Sequence, residues 1–238
     1  MPGLGLNIPG ASWAAANVIG SVYPLPSIAK LTTYGSAGAT AILGAAPTVI
    51  NTPILSTNYF TGSGNGGGYD TGVADLATKT IMLLCSPASS GRSTGMGDYQ
   101  GSGVSPNGDW FLFDATNGAI RATASTTTST SQSALTTAIF DGKFYLCFAD
   151  FSATQVTVSV YKGGTLLTGT TQTLATRGVA AVNIRIARDY TSSDTNNVNA
   201  NINIAASGLW PGVNLTSAQK LQMYNVMVSL YSSKLTLG

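Results

Sequence analysis

Asp141-Gly-Lys-Phe-Tyr-Leu-Cys-Phe148, followed by Val156-Thr-Val-Ser-Val-Tyr-Lys-Gly-Gly-Thr-Leu-Leu167, is the stretch that decides the fold. Asp141-Gly142 marks a turn, and Lys143 to Asp150 then reads as a strand. Val156, Val158 and Val160 alternate with Thr157, Ser159 and Tyr161, the period of two expected of a half-buried strand. Gly163-Gly164 turns the chain into Thr165-Leu166-Leu167, so the stretch predicts consecutive antiparallel strands.

The pattern extends in both directions. Downstream, Val182, Ile184 and Ile186 repeat the alternation, as do Ile202, Ile204 and Ala206. Upstream, Trp110 to Phe113 and Ala119 to Thr123 flank Asn117-Gly118, a strong hairpin signal because both turn residues tolerate positive φ. The Ser/Thr tract from Thr123 to Ser133 reads as a Thr-rich surface strand and loop. Only the last segment predicts a helix. Thr216 and Gln219 form a capping box, with Leu221, Tyr224, Val228 and Tyr231 along one side and apolar residues over much of the rest. Short strands plus one terminal helix predict an all-β fold: a two-sheet antiparallel jelly-roll sandwich with one C-terminal helix.

Residues 1 to 33 differ from the rest. They are apolar and punctuated by Pro2, Pro9, Pro24 and Pro26, which favour extended chain over helix. No charged side chain occurs before Lys30, so the basic region of a secretory leader is missing and cytoplasmic synthesis is expected. The apolar run Ala11 to Tyr23 is too short to span a bilayer. Leu4, Leu6, Ile8, Trp13, Val18 and Ile19 are therefore expected to serve assembly, with 1–33 as a docking segment and 34–238 as the jelly-roll domain. Packing of this segment on its own sandwich is the alternative.

Composition narrows the function. Only 8% of the 238 residues are charged, against 44% hydrophobic. Such a chain has little repulsion to keep copies apart, and this favours a homo-oligomer packed against neighbours. The eleven basic residues are scattered, so neither nucleic acid nor an anionic membrane is an expected partner. Histidine is absent and all nine acidic residues are Asp. That removes the Ser-His-Asp triad, the Cys-His pair and HExxH zinc hydrolysis, and no enzyme activity is expected. Asp70 with Asp75, or Asp189 with Asp194, could form a carboxylate pair only if burial raised one pKa, and nothing nearby in sequence points to burial. Cys85 and Cys147 sit in apolar runs and read as buried thiols, with a disulfide as the alternative. Gly62, Gly64 and Gly67 match GxGxxG by spacing but lead into Tyr69-Asp70 rather than a helix, so the segment reads as a surface loop.

Two loops are candidate contact sites. A pyranose has an apolar face rimmed with hydroxyls and calls for an aromatic platform beside polar groups. Asp98-Tyr99 and Asp189-Tyr190, with Asn196 and Asn197, offer that combination. Trp110 and Trp210 lie next to strand-like runs and read as core. Asp189 and Asp194 could supply carboxylates to Ca²⁺, although an Asx turn satisfying its own backbone explains the same residues. No other cofactor is expected.

The order of five motifs carries a resemblance. These are Asp141 to Phe148, Val156 to Gly164, Ile184-Arg-Ile-Ala-Arg188, Ala205-Ala-Ser-Gly-Leu-Trp-Pro-Gly212 and Leu215-Thr-Ser-Ala-Gln-Lys-Leu-Gln-Met-Tyr224. In this order they resemble laminin-G-like domains of the concanavalin A-like lectin/glucanase superfamily, most of all those in bacteriophage structural proteins. The likeness covers about 100 residues well and the preceding hundred only in rhythm. It implies a virion tail-fibre, tail-tip or receptor-binding component that contacts host-surface glycan. A capsid decoration or head-fibre protein and a free lectin-like module are the alternatives. The glucanase branch relies on two Glu on one strand, so the resemblance does not bring glycosidase activity to a chain that has none.

Overall fold

The computed structural model describes residues 29–101, 104–126, 129–191 and 198–238. The first strands are β1 (Lys30–Gly35), β2 (Gly38–Leu43), β3 (Thr48–Ile50), β4 (Ile54–Leu55), β5 (Phe60–Gly62) and β6 (Gly68–Ala74). Next come β7 (Lys79–Pro87), β8 (Arg92–Gly97), β9 (Trp110–Asp114), β10 (Ala119–Ser125), β11 (Thr130–Thr136) and β12 (Tyr145–Phe151). The series closes with β13 (Gln155–Lys162), β14 (Thr165–Thr168), β15 (Gln172–Thr173), β16 (Asn183–Ile186), β17 (Ile202–Pro211) and the helix α1 (Ser217–Tyr231).

These strands form two antiparallel sheets. One runs β14-β13-β12-β7-β17-β1-β2, with β15 beside β13 and β5 and β4 added at β17; the other runs β11-β10-β9-β8-β16-β6-β3. Among the described residues the chain forms the expected two-sheet antiparallel sandwich with one helix, at its C-terminal end. Its centre explains why some strands lack clean alternation. On β7, Ile81, Leu83 and Cys85 point into the core between the sheets, while Met82 and Leu84 point to the helix side. On β12, Cys147 and Ala149 face the sheets and Leu146 and Phe148 the helix. Both strands are covered on two faces, so both read as continuous apolar runs. Cys85 and Cys147 lie in this core as free thiols, and burial, with Cys147 beside it, raises the Cys85 pKa.

The turns follow residue chemistry. Gly163 and Gly164 both adopt left-handed φ, 55° and 80°, and close a two-residue hairpin with Lys162 opposite Thr165. At Asn117-Gly118 only Gly118 is left-handed; a 3-10 turn over Ala115–Asn117 precedes it, capped by the Asp114 carboxylate. The hairpin is therefore present with a longer turn than the dipeptide implied. β11 runs along a sheet edge with alternating exposure, as expected for the end of the Ser/Thr tract, whereas Thr123 to Thr126 at its start are buried in and beside β10.

One expectation needs correction. Strand β1 pairs with both β17 and β2 inside the larger sheet, so the sandwich includes Lys30 to Thr33, which the boundary at 34 assigned to the docking segment. Leu31 is fully buried there. Leu4, Leu6, Ile8, Trp13, Val18 and Ile19 lie outside the described residues. Helix α1 has the predicted capping box: Thr216 Oγ1 accepts from Gln219 N–H at 3.3 Å, and Thr216 N–H donates to Gln219 Oε1 at 2.7 Å. Its buried stripe, however, is Lys220, Met223, Val226, Met227, Leu230 and Tyr231, and Leu221 is exposed. A helix apolar on most sides does not fix its own phase; the sheet face it covers does. No helix among the described residues is long and apolar enough to cross a membrane.

Candidate functional site

The two loops singled out by sequence do meet. Tyr190 N–H donates to the Tyr99 carbonyl at 2.9 Å, so both sit at the end of the sandwich where β8 stops and β9 starts. Their side chains are nevertheless engaged with the protein. Tyr99 is 7% exposed and stacks on Trp110, with ring centroids 4.5 Å apart and planes within 6°. Trp110 and Tyr99 join Leu112 and Val198 in a small cluster on the outer face of the seven-stranded sheet. Trp210 is buried under α1. The Tyr190 ring is covered by the Arg185 guanidinium 3.4 Å from its centroid, and its hydroxyl donates to the Asn183 carbonyl at 2.9 Å. Asp189 is buried, and its Oδ1 accepts from Thr191 N–H at 3.0 Å and Thr191 Oγ1 at 2.7 Å. This is the Asx turn weighed against calcium. Burial raises the Asp189 pKa, against the lowering effect of those bonds and of Arg188 and Arg185. Asp194, Asn196 and Asn197 lie outside the described residues.

Asp98 is also misplaced by the sequence reading. It belongs to a fully enclosed ionic cluster with Asp75, Lys79, Asp109 and Arg177, all without side-chain exposure. Lys79 Nζ contacts Asp75, lies 2.8 Å from Asp109 Oδ2 and is 3.5 Å from Asp98 Oδ1. Arg177 Nη2 bridges Asp75, at 2.8 and 3.0 Å, and Asp109. The Phe151 ring lies 5.0 Å from Lys79 Nζ and 5.5 Å from Arg177 Cζ. Burial alone would raise the Asp75 pKa, but Lys79 and Arg177 outweigh it and hold the carboxyl below its usual range. For Lys79 burial acts downward, and Asp109, Asp98 and Asp75 overcome it and raise the pKa. Asp98 differs. Burial pushes it up to about 7, and Asp109 and Asp75 add to the shift against Lys79.

A carboxyl near 7 beside other carboxylates is the electrostatic pattern of a general acid. Here no substrate can touch it, because the side chain has no accessible surface. The oxygens of Asp75, Asp98 and Asp109 lie within 4.8 Å of one another, close enough to share a metal. The Lys79 ammonium and Arg177 guanidinium already occupy the positions facing them, so the residues present do not fit a divalent ion. The burial of Asp75 and of Asp189 is what the sequence failed to show. The available signal was Lys79 opening the most apolar strand of the chain, a place where an unpaired charge would not survive.

The opposite end of β7 is built differently. There the chain leaves a groove of about 780 Å³, lined by Ile54, Thr61, Ser86, Pro87, Ala88, Ser89, Phe140, Asp141, Gly142, Asn201 and Asn203. β17 places Asn203 between Thr61 and Ser86. Thr61 Oγ1 donates to Asn203 Oδ1 at 2.7 Å, which fixes the amide and leaves its nitrogen for a further acceptor. The Asn201 carbonyl receives Ala88 N–H at 3.1 Å and Ser93 Oγ at 3.0 Å, holding that rim. Asp141 Oδ1 accepts from Lys143 N–H at 3.2 Å, and its Oδ2 from the Tyr145 hydroxyl at 3.0 Å. Burial is the largest single influence and pushes Asp141 up, but these bonds and Lys143 together prevail and keep it below the usual carboxylate range. Burial and the bond to Asp141 lift Tyr145 to about 12. Asp141 is thus a permanent acceptor near neutral pH. Phe140, Pro87 and Ile54 supply apolar surface next to it. Sequence reasoning saw Asp141-Gly142 only as a turn, since the groove needs four segments distant in sequence to meet.

No family model matches the chain, and no curated protein matches it in sequence. Solved structures match by shape. Trypanosoma rangeli sialidase in complex with sialic acid has a TM-score of 0.59 at 15% identity, over 94% of this chain and 38% of that one. The binding domain of botulinum neurotoxin DC, in complex with SialylT, has a TM-score of 0.56 at 11% identity, over 82% of this chain and 50% of that one. The chain thus spans half or less of these two structures. At such identity the likeness shows the fold alone, a two-sheet jelly-roll sandwich.

Proposed function

We propose that this chain is a non-catalytic recognition module that binds glycan in the groove between Asn203 and Asp141. The observation that carries this reading is the lining: a fixed amide and a permanent carboxylate face hydroxyls, with Phe140, Pro87 and Ile54 as the apolar floor. A sugar ring needs both kinds of surface at once. The groove has no lysine or arginine in its lining and one Asp. A neutral or amino sugar therefore suits it, and an acidic sugar would meet like charge. The absence of His and Glu, together with the enclosure of Asp98, supports binding without cleavage.

We further propose a virion as the setting, with the chain as a tail-fibre, tail-tip or receptor-binding component. The low charge content and the laminin-G-like order of motifs support this reading. Labelling of particles with an antibody to the chain tests it; particles that carry no label rule it out.

For the groove, the test is binding of the pure protein to an array of neutral, amino and acidic glycans. Neutral or amino glycans should bind, and Asn203→Ala or Asp141→Asn should weaken that binding about tenfold, since each removes a hydrogen bond to a sugar hydroxyl. Incubation should release no new reducing ends. Binding confined to acidic glycans, or unaffected by both variants, would refute the assignment.

A further inference from the structure

Residues 44–55, Gly-Ala-Ala-Pro-Thr-Val-Ile-Asn-Thr-Pro-Ile-Leu, contain no charged side chain. They form an open ribbon along one flank. Val49, Ile54 and Leu55 are 60%, 66% and 43% exposed, and Gly44, Ala45 and Ala46 are exposed as well. The ribbon carries outermost strands of both sheets: among the described residues β3 pairs only with β6, and β4 only with β5. Each leaves one backbone edge unpaired. Sheet edges of this kind are ordinarily protected by charge, by proline or by a covering segment. Pro47 and Pro53 precede β3 and β4 rather than sit within them, and charge is missing, so the exposed Val49, Ile54 and Leu55 are left for an apolar segment to cover.

We propose that residues 1–28 of this chain are that cover and dock on the ribbon 44–55. The chain enters the fold beside the ribbon's start. The Ala29 carbonyl oxygen lies 2.8 Å from where a Cβ on Gly44 would stand, and Lys30 Nζ donates to the Ala45 carbonyl at 3.1 Å. The segment that precedes this point matches the ribbon in chemistry, having no charge and carrying Leu4, Leu6, Ile8, Trp13, Val18 and Ile19. Its four prolines favour the extended backbone that lies along a sheet edge. Reach is not limiting, since 28 extended residues span about 90 Å. An unpaired edge and an apolar strip are covered together by such a segment, whether it comes from the same copy or a neighbouring one.

Trp13 is the single tryptophan in this segment, and Trp110 and Trp210 are both buried in the sandwich, so Trp13 reports on the contact. In the full chain its emission, taken as the difference from Trp13→Phe, should be blue-shifted and shielded from acrylamide. The double variant Val49→Asp with Leu55→Asp changes two exposed residues outside the groove lining and should abolish both the shift and the shielding. Ile8→Asp with Ile19→Asp alters the segment without touching the sandwich, and should raise amide exchange at Val49 to Leu55 to the rate of an open edge. Light scattering then separates the two sources: a monomer means the chain covers itself, an oligomer lost in the variants means exchange between copies. Solvent-like Trp13 emission in the parent, or unchanged exchange at Val49 to Leu55 in the segment variant, would overturn the proposal. Ile54 belongs to both the ribbon and the groove, so glycan binding is also measured in each variant: glycan binding lost while Trp13 stays shielded counts against the groove reading alone, and Trp13 exposed while glycan binding persists counts against the cover alone.

Discussion

Strand β7 begins at Lys79 and ends at Pro87, and its two ends treat polar groups in opposite ways. At Lys79, charge is enclosed: an ammonium and a guanidinium offset two of three buried carboxylates, and the third, Asp98, is pushed up to about 7. At Ser86 and Pro87, neutral amides and hydroxyls stand open around a groove. The difference teaches where this chain keeps its few charges. Asp75, Lys79, Asp98, Asp109, Asp114, Arg177, Asp189 and Lys220 are all buried. Much of the already small charge content therefore fixes interior geometry, and the exterior is left to Ser, Thr, Asn and Gly. Buried pairs are weak evidence of stability, because desolvation offsets attraction, but breaking one leaves an uncompensated charge. Open amides carry the reverse balance: they matter little to folding and much to a ligand.

The largest expected effect breaks the closed end. Lys79→Met removes the ammonium that faces Asp75, Asp98 and Asp109, and should lower unfolding stability by about 3–5 kcal/mol in urea titration. A loss below about 1 kcal/mol would mean that the carboxylates protonate or hydrate without difficulty. Next, Tyr99→Ala removes the ring stacked on Trp110 and should cost about 2–4 kcal/mol, with glycan binding unchanged. Weakened binding with unchanged stability would return that loop to the role the sequence assigned it.

A subtler effect concerns pH. Burial and the neighbouring carboxylates push the folded Asp98 carboxyl up to about 7, against 3.8 for an unperturbed Asp. Between these pH values the folded state binds the additional proton. The contribution of Asp98 to stability is therefore greatest at the acid side and falls as pH rises, by up to about 1.4 kcal/mol per unit. Asp75 is shifted downward, so its contribution is lost only below the ordinary carboxylate range. Lys79 and Arg177 are shifted upward and lose theirs only at alkaline pH. Thermal unfolding of Asp98→Asn should accordingly show a flatter dependence between roughly pH 4 and 7 than the parent. An identical slope would assign the dependence elsewhere. Asn203→Ala, at the open end, should change stability by less than about 0.5 kcal/mol.

The sandwich was legible in the sequence because its evidence is local. Val156, Val158 and Val160 show their period directly, Gly163-Gly164 names its turn, and Thr216 with Gln219 caps the helix. The buried phase of α1 was not legible, since Met223, Met227 and Leu221 look alike until a sheet selects among them. Asp98 and Tyr99 appeared as a polar aromatic loop because sequence adjacency cannot reveal that Trp110 stacks on one and Lys79 neutralises the other. Phe140, Asn201 and Asn203 carried no signal at all. Each is ordinary in its own segment, and the groove exists only where β5, β7, β17 and the turn before β12 converge.

The central claim is that the open end recognises and the closed end holds. Amide chemical shifts of the labelled protein, followed during titration with a glycan selected from the array, test it most directly. Perturbations should concentrate at Thr61, Ser86, Asp141, Asn201 and Asn203, with Asp98, Tyr99 and Tyr190 unmoved. Perturbations centred on Tyr99 and Tyr190, with the groove silent, would contradict the account.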